Sequence, residues 1–251
     1  MRLTVLGCSG SFPGPDSPAS AYLLEHDGFR LVLDMGNGAV GSLQRHVGLF
    51  DIDAIFVSHL HADHCLDMCS YVVARRYHPE RPGTAVPVLA PRGAHERLSQ
   101  AFDFNGGSLA DVFDFSEASA ARGSAIRGIG PFQVRTERVN HPVETYAIRL
   151  EADGRSLVYS GDTGESPSLV ALAKDADVLL CEASFTEDRV NPSGLHLTGR
   201  EAGRHATEAG VGRLLVTHIP VWTDPVRVMA EVDESFAGPA EAVSLDAAYQ
   251  I

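Results

Sequence analysis

The chain has no apolar run that approaches the ~20 residues a membrane-spanning helix requires, which leaves no candidate span. Its first residues, MRLTVLGCSG, carry one Arg and a short apolar run broken by glycine, too short for the apolar core of a secretory signal. Cysteine is sparse as well. Cys8, Cys65, Cys69 and Cys181 are too few and too scattered for a disulfide framework in 251 residues, and they read as reduced, mostly buried thiols. The expectation is a soluble, cytoplasmic protein with no membrane partner. Positive charge is also short: 20 Lys+Arg face 33 Asp+Glu, a formal charge of -13, so the whole-molecule field repels phosphate backbones. Long nucleic acid is therefore disfavoured, although bound divalent cations would be the largest local charges in any site. Arg75, Arg76 and Arg81 oppose the global sign, but the first two close a helix, where positive charge suits the C-terminal dipole. Nothing repeats at a fixed short period and no composition break marks a linker.

What is present is the composition of an ordinary globular protein, 44% hydrophobic and 21% charged, with a length that fits one domain over residues 1–251. Oligomeric state is open, a homodimer included. Short β-rich segments at 2–7, 21–26, 29–36 and 54–59 lead into helical character from Asp63 to Tyr77, a strand at 86–90 and a helix over 91–102. Alternating segments at 132–141, 145–154 and 155–164 read as antiparallel neighbours, with ADGR at 152–155 as a hairpin turn. After Ser166 and Pro167 a helix begins, and 176–184 is a buried strand. Thr198 with Glu201 forms a capping box for a helix that Gly210 ends; RLLVTHI is another buried strand, and residues 224–236 form a last helix. Two sheets packed together with helices outside follow from this order.

Eleven histidines are present. His26, His46, His78, His95 and His205 read as surface or hydrogen-bonded core residues. SHLHADHCLD, 58–67, is different, because a chance H-x-H-x-[DE]-H in such a chain is expected on the order of a few times in a thousand. His59 and His61 leave a strand end on one side, whereas Asp63 and His64 turn into a helix and aim at a neighbouring point. The run can feed two metal ions, His59 and His61 to one, Asp63 and His64 to the other. Imidazole and carboxylate suit zinc, with manganese or iron as alternatives. Two ions need further ligands, and His141, Asp162 and His218 each end a later strand. Asp34 reads either as an acceptor that orients a ligand imidazole or as an ordinary strand-end Asp. Cys65 and Cys69 read as small buried hydrophobes.

HLHADH, the isolated His141, SGDT around Asp162 and THIP around His218 resemble the successive metal motifs of the metallo-β-lactamase superfamily, in order and over most of the chain. The resemblance implies an α/β (α+β) fold, an αββα sandwich of two mixed sheets, with a dinuclear site between the sheet edges. It also implies that His59, His61 and His141 hold one ion, that Asp63, His64 and His218 hold the other, and that Asp162 bridges them, with Asp63 counted among the catalytic groups too. CEASF at 181–185 and the stretch 196–218 resemble the ribonuclease Z branch, which implies a Glu182–His196 pair beside the metals. A carboxylate keeps a nearby imidazole protonated and able to deliver a proton. A helix-capping role for His196 is the competing reading.

A pair of ions can clamp the oxygens of an in-line displacement at phosphorus, and an alkoxide leaving group benefits from a positioned acid, so a phosphodiester is the expected substrate. In ribonuclease Z proper a tRNA-gripping arm is inserted between the third His motif and the bridging Asp. Here only 20 residues separate His141 from Asp162 (162 - 141 - 1). A small substrate is the expectation. The N-terminal stretch and the 58–79 run resemble actinobacterial ribonuclease Z-like proteins associated with cyclic-nucleotide phosphodiesterase activity, and cAMP is the leading substrate by that resemblance. The competing expectations are an RNA 3′-end endonuclease, an acyl or thioester hydrolase, and a metal-binding module without turnover.

Overall fold

The computed structural model describes residues 1–103, 107–121 and 126–251. Two seven-stranded sheets make its centre. The first contains β1 (Arg2–Gly7), β2 (Ala21–His26), β3 (Phe29–Leu33), β4 (Ala54–Phe56), β5 (Val86–Ala90), β6 (Phe113–Glu117) and the C-terminal β14 (Ala248–Gln250), in the order β14-β1-β2-β3-β4-β5-β6. The second contains β7 (Arg127–Ile129), β8 (Phe132–Arg138), β9 (Tyr146–Ala152), β10 (Arg155–Tyr159), β11 (Val178–Glu182), β12 (Arg213–Thr217) and β13 (Ala240–Ala242), in the order β13-β12-β11-β10-β9-β8-β7. Each sheet joins an antiparallel half to a parallel half: β3 to β6 and β10 to β13 run parallel, the remaining neighbours antiparallel.

Side chains alternate along these strands, so both faces of each sheet must be covered. Tyr22, Leu24, Leu31, Leu33, Leu150, Leu157, Leu180 and Leu215 point between the sheets and form the central core. Leu23, Val32 and Ile55 point the other way, under α1 (Ala39–Leu43), α3 (Met68–Tyr77) and α4 (Ala94–Phe102). On the far side Leu179, Cys181, Leu214 and Val216 meet α5 (Pro167–Leu172), α6 (Gly199–Ala209) and α7 (Pro225–Asp233). The layers are helix, sheet, sheet, helix, which is the expected αββα sandwich. Among the described residues no helix is long and apolar enough to cross a membrane.

Several boundaries differ from the sequence reading. β4 stops at Phe56, so His59 and His61 sit on the loop after it and no strand alternation aims them. The helical run from Asp63 splits into α2 (Ala62–Cys65) and α3. Asp67 explains the break: its backbone N–H donates to Met35 O (3.1 Å) and its carboxylate accepts from Val40 N (2.6 Å), tying the junction to the start of α1. Short elements α1, β6, β7, β13 and β14 had no sequence signal. The turn at 152–155 is as expected, with Asp153 and Gly154 both at positive φ (50° and 74°) as a two-residue hairpin demands.

Candidate metal centre

The parallel strands place their C-terminal ends at one end of the sandwich, where ligand sites of parallel sheets form. Asp34 follows β3, His59 and His61 follow β4, Asp162 follows β10, Glu182 ends β11 and His218 follows β12. α2 adds Asp63 and His64, and the loop between β8 and β9 adds His141. Asp34 and His218 both hold φ of 57°, a left-handed conformation that non-glycine residues keep only when their surroundings enforce it. Gly161 meets a related demand. A Cβ there would lie 2.9 Å from Ser58 Cβ, so only glycine lets the turn carrying Asp162 pack against the His59 loop.

Two clusters result, and they share Asp162. His59, His61, His141 and Asp162 offer atoms that all lie within 4.8 Å of one another, as do Asp63, His64, Asp162 and His218. In the first, His59 Nε2 is 3.0 Å from His61 Nδ1 and 3.6 Å from Asp162 Oδ2, and His141 Nε2 is 3.3 Å from His61 Nδ1. In the second, His64 Nε2 is 3.2 Å from Asp162 Oδ1 and 3.6 Å from Asp63 Oδ2, and His218 Nε2 is 3.3 Å from Asp162 Oδ2 and 3.7 Å from Asp63 Oδ2. A tetrahedron with bonds near 2.0–2.1 Å has edges of about 3.4 Å, so both sets match a small divalent ion. All seven expected ligands are in one of these sets.

A second observation shows that the residues fit a cation. Three of the ligand atoms, His64 Nε2, His218 Nε2 and Asp162 Oδ1, are buried without a hydrogen-bond partner. A buried polar atom left unpaired costs about 1–3 kcal/mol, so three converging on one point mark a place for a shared partner. On four of the five clustered rings the other nitrogen is occupied. His64 Nδ1 donates to Asp34 (2.7 Å), His141 Nδ1 to Leu195 O (2.9 Å), and His218 Nδ1 pairs with Ser20 Oγ (2.8 Å). Ser58 Oγ donates to Asp34 (2.7 Å) and lies 3.1 Å from His59 Nδ1, the place of an acceptor for that ring's N–H. For His59, His64 and His141 these acceptors place the ring proton away from the cluster, so that a lone pair faces it.

Asp34 is the hub. It is fully buried and accepts from Ser58 N (2.6 Å), Ser58 Oγ, His64 Nδ1 and Tyr159 OH (2.6 Å). Of its two sequence readings, the ring-orienting acceptor is correct. Ser58, Ser20 and Tyr159 had not been singled out; Ser58 could have been suspected from standing beside His59, but nothing in the chain announces Ser20 or Tyr159.

Glu182 and His196 come together as expected, with His196 Nδ1 2.8 Å from Glu182 Oε1. Backbone N–H groups of Thr163 (2.9 Å) and Ser184 (3.1 Å) hold the Glu182 carboxylate from behind. Burial works against charge on His196, but Glu182, with help from Asp162, outweighs it and raises the imidazole to about 9. His196 Nδ1 is 4.0 Å from Asp162 Oδ2, so the pair stands beside the shared ligand. No cap role falls to His196, since Thr198 itself caps α6. Burial likewise opposes charge on Asp162, yet His218, His64 and His59 hold it well below the usual carboxylate range.

The remaining histidines are accounted for elsewhere. His205 bridges Ser166 N and Glu201 O, His95 accepts from Leu109 N, and His46 pairs with Asp246. His26 pairs with the exposed Asp153 at 3.1 Å, and His78 packs edge-on against Phe50. Cys65 is buried, pushed up to about 12 by burial, and directs its thiol to His61 O; Cys69 is half-buried. Arg75 and Arg76 do lie in the last turn of α3, where Arg76 pairs with Asp111.

The description "Beta-lactamase superfamily domain" matches residues 30–219. The protein ML1173 of Mycobacterium leprae (strain TN) is 47% identical over 245 residues, covering 97% of this chain and 86% of its own. The Bacillus subtilis (strain 168) protein named "Probable metallo-hydrolase YhfI" is 31% identical over 228 residues, covering 88% and 87%. The YhfI crystal structure superposes with a TM-score of 0.87 over 99% of this chain and 98% of that one. Human tRNase Z, short form, has the same fold at 19% identity, with a TM-score of 0.78 over 100% and 99% of the two chains.

Proposed function

This chain belongs to the metallo-β-lactamase superfamily of hydrolases, and on that premise we propose that it is a two-metal phosphodiesterase acting on a small substrate, a cyclic nucleotide such as cAMP first among them. The observation that carries the reading is the Glu182–His196 pair at 2.8 Å beside the shared ligand Asp162. His59, His61 and His141 would hold one ion and Asp63, His64 and His218 the other, with Asp162 common to both; nitrogen and oxygen donors at these spacings favour zinc over manganese or iron. Two divalent ions bound there would supply Lewis acidity toward a phosphoryl oxygen and would acidify water.

The rest is done by the chain. Glu182 holds the Nδ1 proton of His196, which leaves Nε2 to carry a second proton at neutral pH. In this reading that proton goes to the alcohol oxygen departing from phosphorus, a group too basic to leave unprotonated. Asp34, through His64 and through Ser58, fixes ring orientation. Between His141 and Asp162 the chain spends its residues on β9, β10 and their two-residue turn, which supports a substrate that needs no gripping arm. The charge of -13 supports the same choice.

Purified protein with measured metal content, assayed on bis-p-nitrophenyl phosphate, cAMP, precursor tRNA and a thioester, tests the reading. Hydrolysis of cAMP and the activated diester is expected. Thioester hydrolysis with no phosphodiester cleaved would refute it, and preference for precursor tRNA would establish the RNA 3′-end reading instead.

A further inference from the structure

Two of the large exposed apolar side chains, Phe12 and Trp222, stand together. Among the described residues eight large ones are exposed, and five of these, Phe12, Val190, Val221, Trp222 and Val226, lie on segments that carry or flank His196 and His218. Exposed apolar surface gathered in one place marks a binding site more often than chance. Its aromatic part is a contacting pair: Phe12 is 45% and Trp222 53% exposed, with ring centroids 5.3 Å apart at 43°.

Both rings stand on fixed backbone. Ser11 adopts φ of 66°, Phe12 N donates to Gly10 O (2.8 Å) and Ser9 Oγ donates to Phe12 O (2.7 Å), which locks a tight turn under Phe12. Gly10 lies directly against the ligand loop; a Cβ there would come within 2.4 Å of His218 O. Trp222 belongs to the turn four residues beyond His218, closed by Thr223 N to Pro220 O (2.9 Å). Thr223 Oγ1 reaches Ser184 O (3.3 Å), and Ser184 N holds Glu182. Two half-exposed rings are thus built onto the backbone that presents a metal ligand and the Glu182–His196 pair.

We propose that Phe12 and Trp222 form a stacking platform for the base of a mononucleotide phosphodiester whose phosphate is held at the His/Asp clusters. The proposal rests on the phosphodiesterase reading and narrows its substrate class. A nucleobase is flat, uncharged and π-rich, so it gains from aromatic faces and is not opposed by the acidic surface. A diester of simple alcohols offers nothing to these rings.

Trp222 is the single tryptophan of the chain, so its fluorescence reports on the platform alone. Adenosine 5′-monophosphate titrated into the metal-loaded protein is expected to quench it saturably, and ribose 5-phosphate is not. Phe12→Leu and Trp222→Leu, both at exposed positions, are expected to weaken binding and raise KM for cAMP about tenfold to a hundredfold with kcat unchanged. Phe12→Tyr and Trp222→Phe are expected to retain the wild-type KM, which an apolar contact of no specific shape would not require. Equal quenching by both ligands, or a wild-type KM in the two leucine variants, would overturn the platform while leaving the phosphodiesterase reading intact. Selective quenching in a protein that cleaves no diester would overturn the enzymatic reading and leave the base site. Tighter quenching by a short oligoribonucleotide than by the monophosphate would replace the mononucleotide with an RNA end.

Discussion

Asp34 shows how much of this site depends on residues outside the two clusters. Its carboxylate is the acceptor for four donors, one of them the ring of His64, so Asp34→Asn forces an amide N–H toward a group that also donates. The expected result is a 10- to 100-fold loss of metal affinity, by the usual size of such effects, read by competition with a chelator. For His196 the sign follows from its raised value. The acid form carries the proton, so cleavage of an unactivated diester should fall as pH rises through about 9, and Glu182→Gln should move that fall to lower pH. His196→Ala should cost 10²- to 10⁴-fold on cAMP, whose leaving oxygen needs a proton, and less than about tenfold on bis-p-nitrophenyl phosphate, whose leaving group does not. At this scale the seven clustered residues and the Glu182–His196 pair were legible in the chain, because ligand chemistry restricts residue type. Ser20 and Tyr159 were not: they act on His218 and Asp34 across 198 and 125 positions, and a lone Ser or Tyr carries no spacing.

Elements explain why His196 stays where it does. Thr198 caps α6 in a reciprocal box with Glu201, and Phe185 pairs with Thr198 as an isolated bridge, so the residues either side of the 186–197 loop are pinned. Thr198→Ala removes the acceptor for Glu201 N and the bond to Glu187, at a cost of about 1 kcal/mol. A lower melting temperature together with a reduced kcat on cAMP is expected, since the loosened cap lies two residues from His196. The capping box, the Ser166-Pro167 start, the Gly210 stop and the Asp153-Gly154 turn were readable because each is a local backbone device. β7, β13 and β14 are three residues each and exist through pairing with distant strands, as β14 does with β1, so no local pattern could announce them. The break between α2 and α3 has the same origin, in contacts of Asp67 with Met35 and Val40.

At the scale of the molecule, two sheets with opposed helical layers bring His59, His141, Asp162 and His218 from separate strand ends to one point. The αββα order was legible from buried runs alternating with capped helices; the register between sheets was not, since it depends on how the faces pack. Ions bound to the folded chain alone stabilise it by mass action, about 4 kcal/mol at a thousandfold excess over Kd, so a chelator should lower the melting temperature and zinc should restore it. The central claim is that two ions, one shared ligand and one positioned acid make a phosphodiesterase. The most direct test titrates metal-free protein with zinc while cAMP hydrolysis is followed. The rate should rise until two equivalents are bound per chain; saturation at one equivalent, or no phosphodiester cleavage at any loading, would contradict the account.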